Sequence, residues 1–424
     1  MMNKIRTSNT TYNRTRVIFL RHGQSTYNQL KLYQGCCDDS LLNDKGKIQA
    51  YQSGEFLRNT SIDTIYASPL QRTQETAQQI LDAIKADNID NIDLNSTQNT
   101  ITSEIFHTPE LKIHPNLKEV DIPGWQGLSF EYVRKNLAED YQVWEERPHE
   151  FIMETISISG STLVKTQIQP VLKLYKQAKE FWQEILPQHM GKTILIVSHG
   201  GTIRALIGTA LGIKSEYFHT LQQSNCGIST INIENSLGNN NLENNIPKEN
   251  LYKANLETVN LTQHLGEVLP KLKNGKYGLR LLLLPVNAED KDIAKISKFL
   301  TSVELDFCLS RDTPAAEKTA KSLLEAQSKP PVNIQISREN FLSQWHKIIS
   351  KGISKRISNQ TQNTTPLQTA MVIADPETII SVFNQILELD KHSGQLNIQP
   401  NKISILFYPA SQNKAVIQAM NISP

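Results

Sequence analysis

"VIFLRHGQSTYN", Val17–Asn28, runs four apolar residues straight into Arg21, His22 and Gly23. An unbroken apolar run of this length is the pattern of a strand covered on both faces, and the glycine marks its exit. The same layout returns twice. "IDTIYAS" (62–68) precedes the helical "RTQETAQQILDAIKA" (72–86), and "KTILIVS" (192–198) precedes "HGGTIRALIGTALG" (199–212). Helical patterns also lie at 43–59 and 167–186, and "GISTINIE" (227–234) reads as a further strand. Buried strands alternating with amphipathic helices predict a three-layer α/β/α fold around a mostly parallel sheet.

At 424 residues the chain exceeds one ordinary core, and two domains are expected. Residues 1–15, basic and hydroxyl-rich, read as a disordered lead-in. Residues 16–270 read as a catalytic domain containing the Asn-rich loop "NSLGNNNLENNIPKEN" (235–250) and a last strand "LYKANLETVN" (251–260). "KLKNGKYG" (271–278) reads as a linker, and residues 279–424 as a second domain. The second domain repeats the first in outline. "RLLLLPV" (280–286) parallels "RVIFLRH", and residues 299–324 parallel 56–81. "RENFLSQW" (338–345) parallels "KEVDIPGW" (118–125), and "MVIADPETI" (371–379) parallels "LIVSHGGTI" (195–203). Segments in one order with shorter loops indicate duplication of a single fold.

The 44 basic and 42 acidic side chains nearly cancel, which argues against nucleic acid or a membrane as partner. No apolar run approaches the ~20 residues of a membrane span. Cys36, Cys37, Cys226 and Cys308 form no CxxC pair or metal-ligand spacing, and suit a reducing compartment: the cytoplasm, or a plastid stroma in a photosynthetic eukaryote. No metal and no cofactor is expected, and homo-oligomer formation is left open.

In a parallel sheet the three strand exits share one edge, so Arg21, His22, Arg72 and His199 are expected to converge. Two guanidiniums facing one point need an anion between them, and their planar forks match phosphate oxygens. Backbone N–H groups at Gly23 and Gly200 would add donors, as would Ser25 and Asn28. A neutral imidazole in such a pocket can attack phosphorus in line. Spacing alone leaves open whether His22 or His199 does so. Expelling an alkoxide requires a proton donor, and Glu119 in "LKEVDIPGWQG" is the carboxylate set in a motif-like turn. Trp125 in that segment and Cys226 read as core residues.

"RHG" after a strand, "SPLxRTxET", "LKExxxxGWxG" and "VSHGG", in that order, resemble the histidine phosphatase superfamily, which includes the cofactor-dependent phosphoglycerate mutases. The resemblance runs from about Val17 to about Pro270. It implies His22 as the phosphorylated histidine and Glu119 as proton donor and acceptor. It also implies that Arg21, Asn28, Arg72 and His199 hold the phosphate, with Gln34 and Gly35 in a substrate-contacting turn.

Val120 and Asp121 after the acid, and "VSHGGTIRAL", are similar to the phosphatase branch; the mutases carry an arginine directly after the glutamate. The function expected is therefore a phosphomonoester hydrolase acting on a small phosphorylated metabolite. The alternatives are a phosphoglycerate mutase, with Arg134, Lys135 and Arg147 available to a carboxylate, and a non-enzymatic phospholigand scaffold. The second half has Pro285 and Val286 for Arg21 and His22, Ala315 for Arg72, and Asp375 for His199; only Glu339 matches, against Glu119. It is expected to be catalytically dead, with Asp375 repelling phosphate. A fused, degenerate copy is similar to the 2-carboxy-D-arabinitol-1-phosphatase-like proteins, which implies a phosphorylated sugar acid as one candidate substrate.

Overall fold

A computed structural model describes residues 14–90, 108–159, 162–235, 252–273, 277–286, 290–327, 331–336, 341, 343–345, 347, 349, 367–390, 393–410 and 414–424. The expected lead-in up to residue 13, the Asn-rich loop from 236 on and Glu339 lie outside the described residues. The chain forms two compact units, Met1–Phe218 with Thr230–Asn255, and His219–Ser229 with Leu256–Pro424. Residues 219–229 and 256–270, expected in the catalytic domain, thus group with the second unit.

The first unit contains β1 (Arg14–Arg21), α1 (Thr26–Leu30), α2 (Asp44–Leu57), β2 (Thr64–Ala67), α3 (Gln71–Asp90) and β3 (Glu110–Ile113). There follow α4 (Phe130–Asn136), α5 (Ala138–Glu146), β4 (Met153–Ser159), β5 (Thr162–Ile168), α6 (Pro170–Ile185), β6 (Thr193–Ser198), α7 (Gly200–Leu211) and β7 (Ile228–Asn235). Its sheet runs β3-β2-β6-β1-β7. β3, β2, β6 and β1 are mutually parallel. Val17–Leu20, all of β2 and Ile194–Ser198 are buried, as a sheet covered on both faces requires. β1 opens at Arg14, and the buried Thr15 donates its hydroxyl to His189 O at 2.7 Å, so ordered chain starts before the boundary expected at residue 16.

α6 shows how burial selects a helix. Val171, Leu174, Tyr175, Ala178, Phe181, Trp182 and Ile185 recur at helical spacing and are buried. Each large side chain so placed contributes about 1.5–3 kcal/mol of transfer free energy. Pro170 at the first helical position explains the sharp start after β5. The hairpin β4–β5 and the short helices α4 and α5 have no clear counterpart in the sequence pattern. α4 and α5 are held by packing: Trp144 of α5 meets Trp125, Phe151 and Phe218 at centroid distances of 5.7, 5.4 and 5.9 Å.

The second unit contains β8 (Tyr252–Leu261) from Leu256 on, β9 (Gly278–Pro285), α8 (Asp290–Phe299), β10 (Phe307–Arg311), α9 (Pro314–Glu325) and β11 (Val332–Ile336). β12 (Gln368–Ala374), α10 (Pro376–Leu387), β13 (Gln395–Leu396), β14 (Ile403–Pro409) and β15 (Val416–Ile422) complete it. The order β11-β10-β12-β9 is parallel and repeats β3-β2-β6-β1 strand for strand. Gly278 already belongs to β9, which shortens the expected linker by one residue.

Register makes the duplication specific. Ala67 pairs with Val197 in the first unit and Ser310 with Ile373 in the second. The residues that follow put Arg311 where Ser68 stands and Asp375 where His199 stands. Asp375 caps α10, accepting from Thr378 N at 3.2 Å, and forms an ion pair with Arg311. The expectation that Asp375 stands as a charge repelling phosphate is thereby corrected. Its charge is spent on a neighbouring guanidinium that is itself buried.

Candidate active site

Two registers align the three strand exits. Arg21 pairs with Ser198 across β1 and β6, and Ala67 pairs with Val197 across β2 and β6. His22, Ser68 and His199 each follow directly, on one edge. The His22 and His199 rings lie 5.2 Å apart between centroids, inclined at 62°. Arg21 reaches across to Gly200, where a Cβ would stand 3.5 Å from the guanidinium Nε. Arg72 is fully buried at the start of α3. The structure brings Arg21, His22, Arg72 and His199 together at one edge.

His22 is nearly fully buried, and its Nδ1 lies 2.8 Å from Gly23 O. A carbonyl only accepts, so Nδ1 carries the proton and Nε2 is the basic nitrogen of the neutral ring. Gly23 N donates to Thr76 Oγ1 at 3.1 Å, and Thr76 Oγ1 donates to Arg72 O at 2.7 Å. That chain ties the histidine turn to α3. A side chain at Gly23 would meet Gly46 O at 2.3 Å, so only glycine lets the turn pass α2 this closely.

Arg72 donates from Nη1 to Cys37 O at 2.8 Å and from Nη2 to Gly35 O at 2.9 Å. Gly35, with φ of 56°, turns the chain to present that carbonyl. Burial lowers the Arg72 pKa, opposed by Glu119, Cys37 and Asp38 in that order. Gly35 therefore acts on the arginine through its backbone, a role the sequence could not suggest. Gln34 accepts from Ser25 Oγ at 3.0 Å, and Ser25 Oγ accepts from Asn28 N at 3.2 Å in the capping of α1. Ser25, Asn28 and Gln34 form one hydrogen-bonded cluster.

His199 is fully buried, with Nε2 2.9 Å from Ser68 Oγ. Burial drives its pKa well below the ordinary histidine value, reinforced by the charges of Arg72, His22 and Arg21. His199 Nδ1 and Arg72 Nε are buried polar atoms with no hydrogen-bond partner among the described residues. Unpaired buried polar atoms are costly, and these two, near the Arg21 guanidinium, suit an incoming anion.

Glu119 accepts from its own Val120 N at 2.8 Å and from Gly201 N at 3.3 Å. A Cβ on Gly201 would lie 2.5 Å from Glu119 Oε1, so the glycine makes room for the carboxylate. The loop beneath is tied at several points. Ser198 Oγ donates to Leu117 O, and Thr202 Oγ1 donates to Lys118 O. Gln177 Nε2 of α6 donates to Asn116 O and Lys118 O at 2.8 and 2.9 Å. Ser68 and Thr76 lie within "SPLxRTxET" and Thr202 directly after "VSHGG", though the sequence assigns them no role, and no motif lies near Gln177. Trp125 and Cys226 are buried, as expected. Arg134 donates to Tyr141 OH and Arg147 pairs with Glu150, so both guanidiniums already have protein partners. Among the described residues no group of three or more His, Cys, Asp or Glu is placed to hold a metal ion. Nor is any described helix long and apolar enough to cross a membrane.

The family profile of the histidine phosphatase superfamily (branch 1) matches residues 17–99 and 93–245, more than half of the chain. This chain belongs to the histidine phosphatase superfamily. Both profile matches fall before residue 246, and the second copy is carried by the repeated strand order. Among its superfamily relatives, 2-carboxy-D-arabinitol-1-phosphatase of Triticum aestivum is 34% identical over 51% of this chain and 36% of its own length. The probable enzyme of that name from Arabidopsis thaliana is 33% identical over 51% of this chain and 37% of its own. The chain therefore spans little more than a third of these two relatives. Phosphoserine phosphatase 1 of Hydrogenobacter thermophilus is 27% identical over 52% of this chain and 87% of its own length. The solved phosphoserine phosphatase of Entamoeba histolytica with 3-phosphoglyceric acid superposes with a TM-score of 0.40 at 24% identity, over 59% of this chain and 99% of that one. The superfamily relatives are thus phosphatases and, at 26% identity in Bartonella henselae, a phosphoglycerate mutase.

Proposed function

We propose that this chain is a phosphomonoester hydrolase working through a phosphohistidine at His22. The observation that carries the reading is the hydrogen bond between His22 Nδ1 and Gly23 O, which makes Nε2 the nucleophilic nitrogen beside the buried Arg72 and the half-buried Arg21. The dianion takes its place among Arg21, Arg72 and His199. Ser68 donates to His199 Nε2, and the Nδ1–H then points to a phosphoryl oxygen. His22 Nε2 attacks phosphorus while the ester P–O bond breaks, and the leaving alkoxide takes the proton of the Glu119 carboxyl group. Water then attacks the phosphohistidine, giving a proton to the Glu119 carboxylate. The P–N bond breaks and its electron pair returns to Nε2. General acid assistance of this kind contributes about 10²–10⁴ in rate.

Hydrolysis is favoured over mutase chemistry because Val120 and Asp121 follow Glu119 where the mutases carry an arginine directly after the glutamate. A phosphorylated sugar acid is the substrate class we favour, on the names of the two plant relatives. Incubation with labelled substrate is expected to give an acid-labile phosphoenzyme that His22→Ala abolishes, with turnover down by at least ~10³. A label that persists in His22→Ala overturns the reading. Release of 2-phosphoglycerate rather than free phosphate from 3-phosphoglycerate would replace hydrolase with mutase.

A further inference from the structure

Glu119 is the proton donor only on the reading just given, and the following inference rests on it. Gly201, Arg204 and Gly208 stand at positions i, i+3 and i+7 of α7, hence on one face. The space beside Gly201 is taken by the Glu119 carboxylate, and the space beside Gly208 by the Tyr175 hydroxyl, which a Cβ would meet at 2.5 and 2.7 Å. Arg204 lies between them. Its guanidinium carbon sits 5.7 Å from the centre of the Phe218 ring, and Phe218 Cζ lies 3.3 Å from the Gly201 Cβ position. The arginine and the carboxylate thus both border the Phe218 ring beside α7. Trp144, one residue before Glu145, packs on the same Phe218 ring at 5.9 Å and brings α5 to this spot.

We propose that Arg204 is the positioning residue of the proton donor Glu119, and that Glu145 on α5 draws on the same guanidinium and so weakens its hold. The charge relations agree with the packing. Burial lowers the Arg204 pKa, and Glu119, then Glu145, then Tyr175 oppose it. Burial raises the Glu145 pKa, with Arg204 the foremost opposing group, followed by Tyr141 and Arg134. Arg204 thus serves two carboxylates, one catalytic and one on a short helix beside the site. The other groups around Glu119 are Arg72 from α3, Cys36 from the loop after α1, and Lys118 and Asp121 on its own loop, with Asp121 paired to Lys173 of α6 at 2.7 Å.

The two variants move the site in opposite senses. Formation of the phosphoenzyme needs the protonated acid, so kcat/KM falls on the alkaline side as that proton is lost. Arg204→Met removes a cation that favours the carboxylate, and the alkaline limb moves up by about one pH unit. Glu145→Gln removes the carboxylate that competes with Glu119 for the arginine, and the limb moves down. Arg204→Lys stays near the unmodified profile. The measurement is kcat/KM against pH on an alkyl phosphate, with the full chain. Opposite movements support the coupling; limbs that stay put, or move together, overturn it. Should Arg204→Met fail to fold, an unmoved limb in Glu145→Gln overturns it alone. A profile with no alkaline limb in the unmodified protein overturns the proton-donor reading, and the coupling with it.

Discussion

At His199 burial and then the charges of Arg72, His22 and Arg21 all push one way, holding the imidazole neutral well below its ordinary range. The consequence for stability follows from linkage. Between the depressed folded value and the unfolded value of about 6.5, the unfolded chain binds a proton that the folded chain refuses. Stability is therefore complete above about pH 6.5 and falls as pH drops below it, by up to about 1.4 kcal/mol per pH unit for this one group. His189 and His264, both lowered by burial, the latter to about 4, add to the slope. Urea midpoints between pH 7.5 and 5.5 are expected to fall, and His199→Gln is expected to flatten the fall. Inorganic phosphate should restore the midpoint, because an anion between the arginines binds only the folded chain. At this scale Arg21, His22, Arg72 and His199 were legible in the sequence, because each follows a buried strand or opens a helix. Ser68 was not, because its importance is a contact with a residue 131 positions away.

At the scale of elements, α7 both binds and makes room. Its first turn faces the pocket, and Gly201 admits Glu119 where any Cβ would collide. Gly201→Ala displaces the mobile end of a carboxylate rather than backbone, so the expected cost falls on chemistry more than on folding. We expect kcat on alkyl phosphates to drop by about 10²–10³, while an aryl phosphate with a good leaving group is largely spared. The thermal midpoint is expected to shift by only a few degrees, as the Phe218 ring adjusts. An equal loss on both substrates would mean that the substitution disturbs the phosphate pocket instead. The long elements, β1, α3, α6 and β6, were readable because burial imposes a period on them. α4 and α5 were not, because fewer than three turns carry too few apolar positions to display one. Trp144 meeting Trp125, Phe151 and Phe218 is a tertiary fact.

For the molecule as a whole, duplication kept the strand order and exchanged the contact at its functional edge. Ser68 and His199 share a hydrogen bond in one unit, whereas Arg311 and Asp375 share an ion pair in the other. For Asp375, burial, which raises the pKa, is outweighed by hydrogen bonds from Thr378 and by Arg311, and the carboxyl group ends below its usual value. Removing it leaves Arg311 buried without its counter-charge. Asp375→Ala should destabilise the second unit by about 2–4 kcal/mol, below the full cost of a wholly buried pair because the aspartate is partly exposed. Denaturant unfolding checks this, and phosphatase activity is expected to remain unchanged. The sequence by itself determined the duplicated α/β fold and the four cationic or imidazole groups at the strand exits, since periodic burial and glycine turns are local properties of the chain. Only the tertiary structure decided which atoms face the proposed phosphate site, that Gly35 serves Arg72 through its carbonyl, and that Asp375 is paired. Those outcomes depend on side chains and backbone groups far apart in sequence meeting within hydrogen-bond distance, which no local pattern encodes.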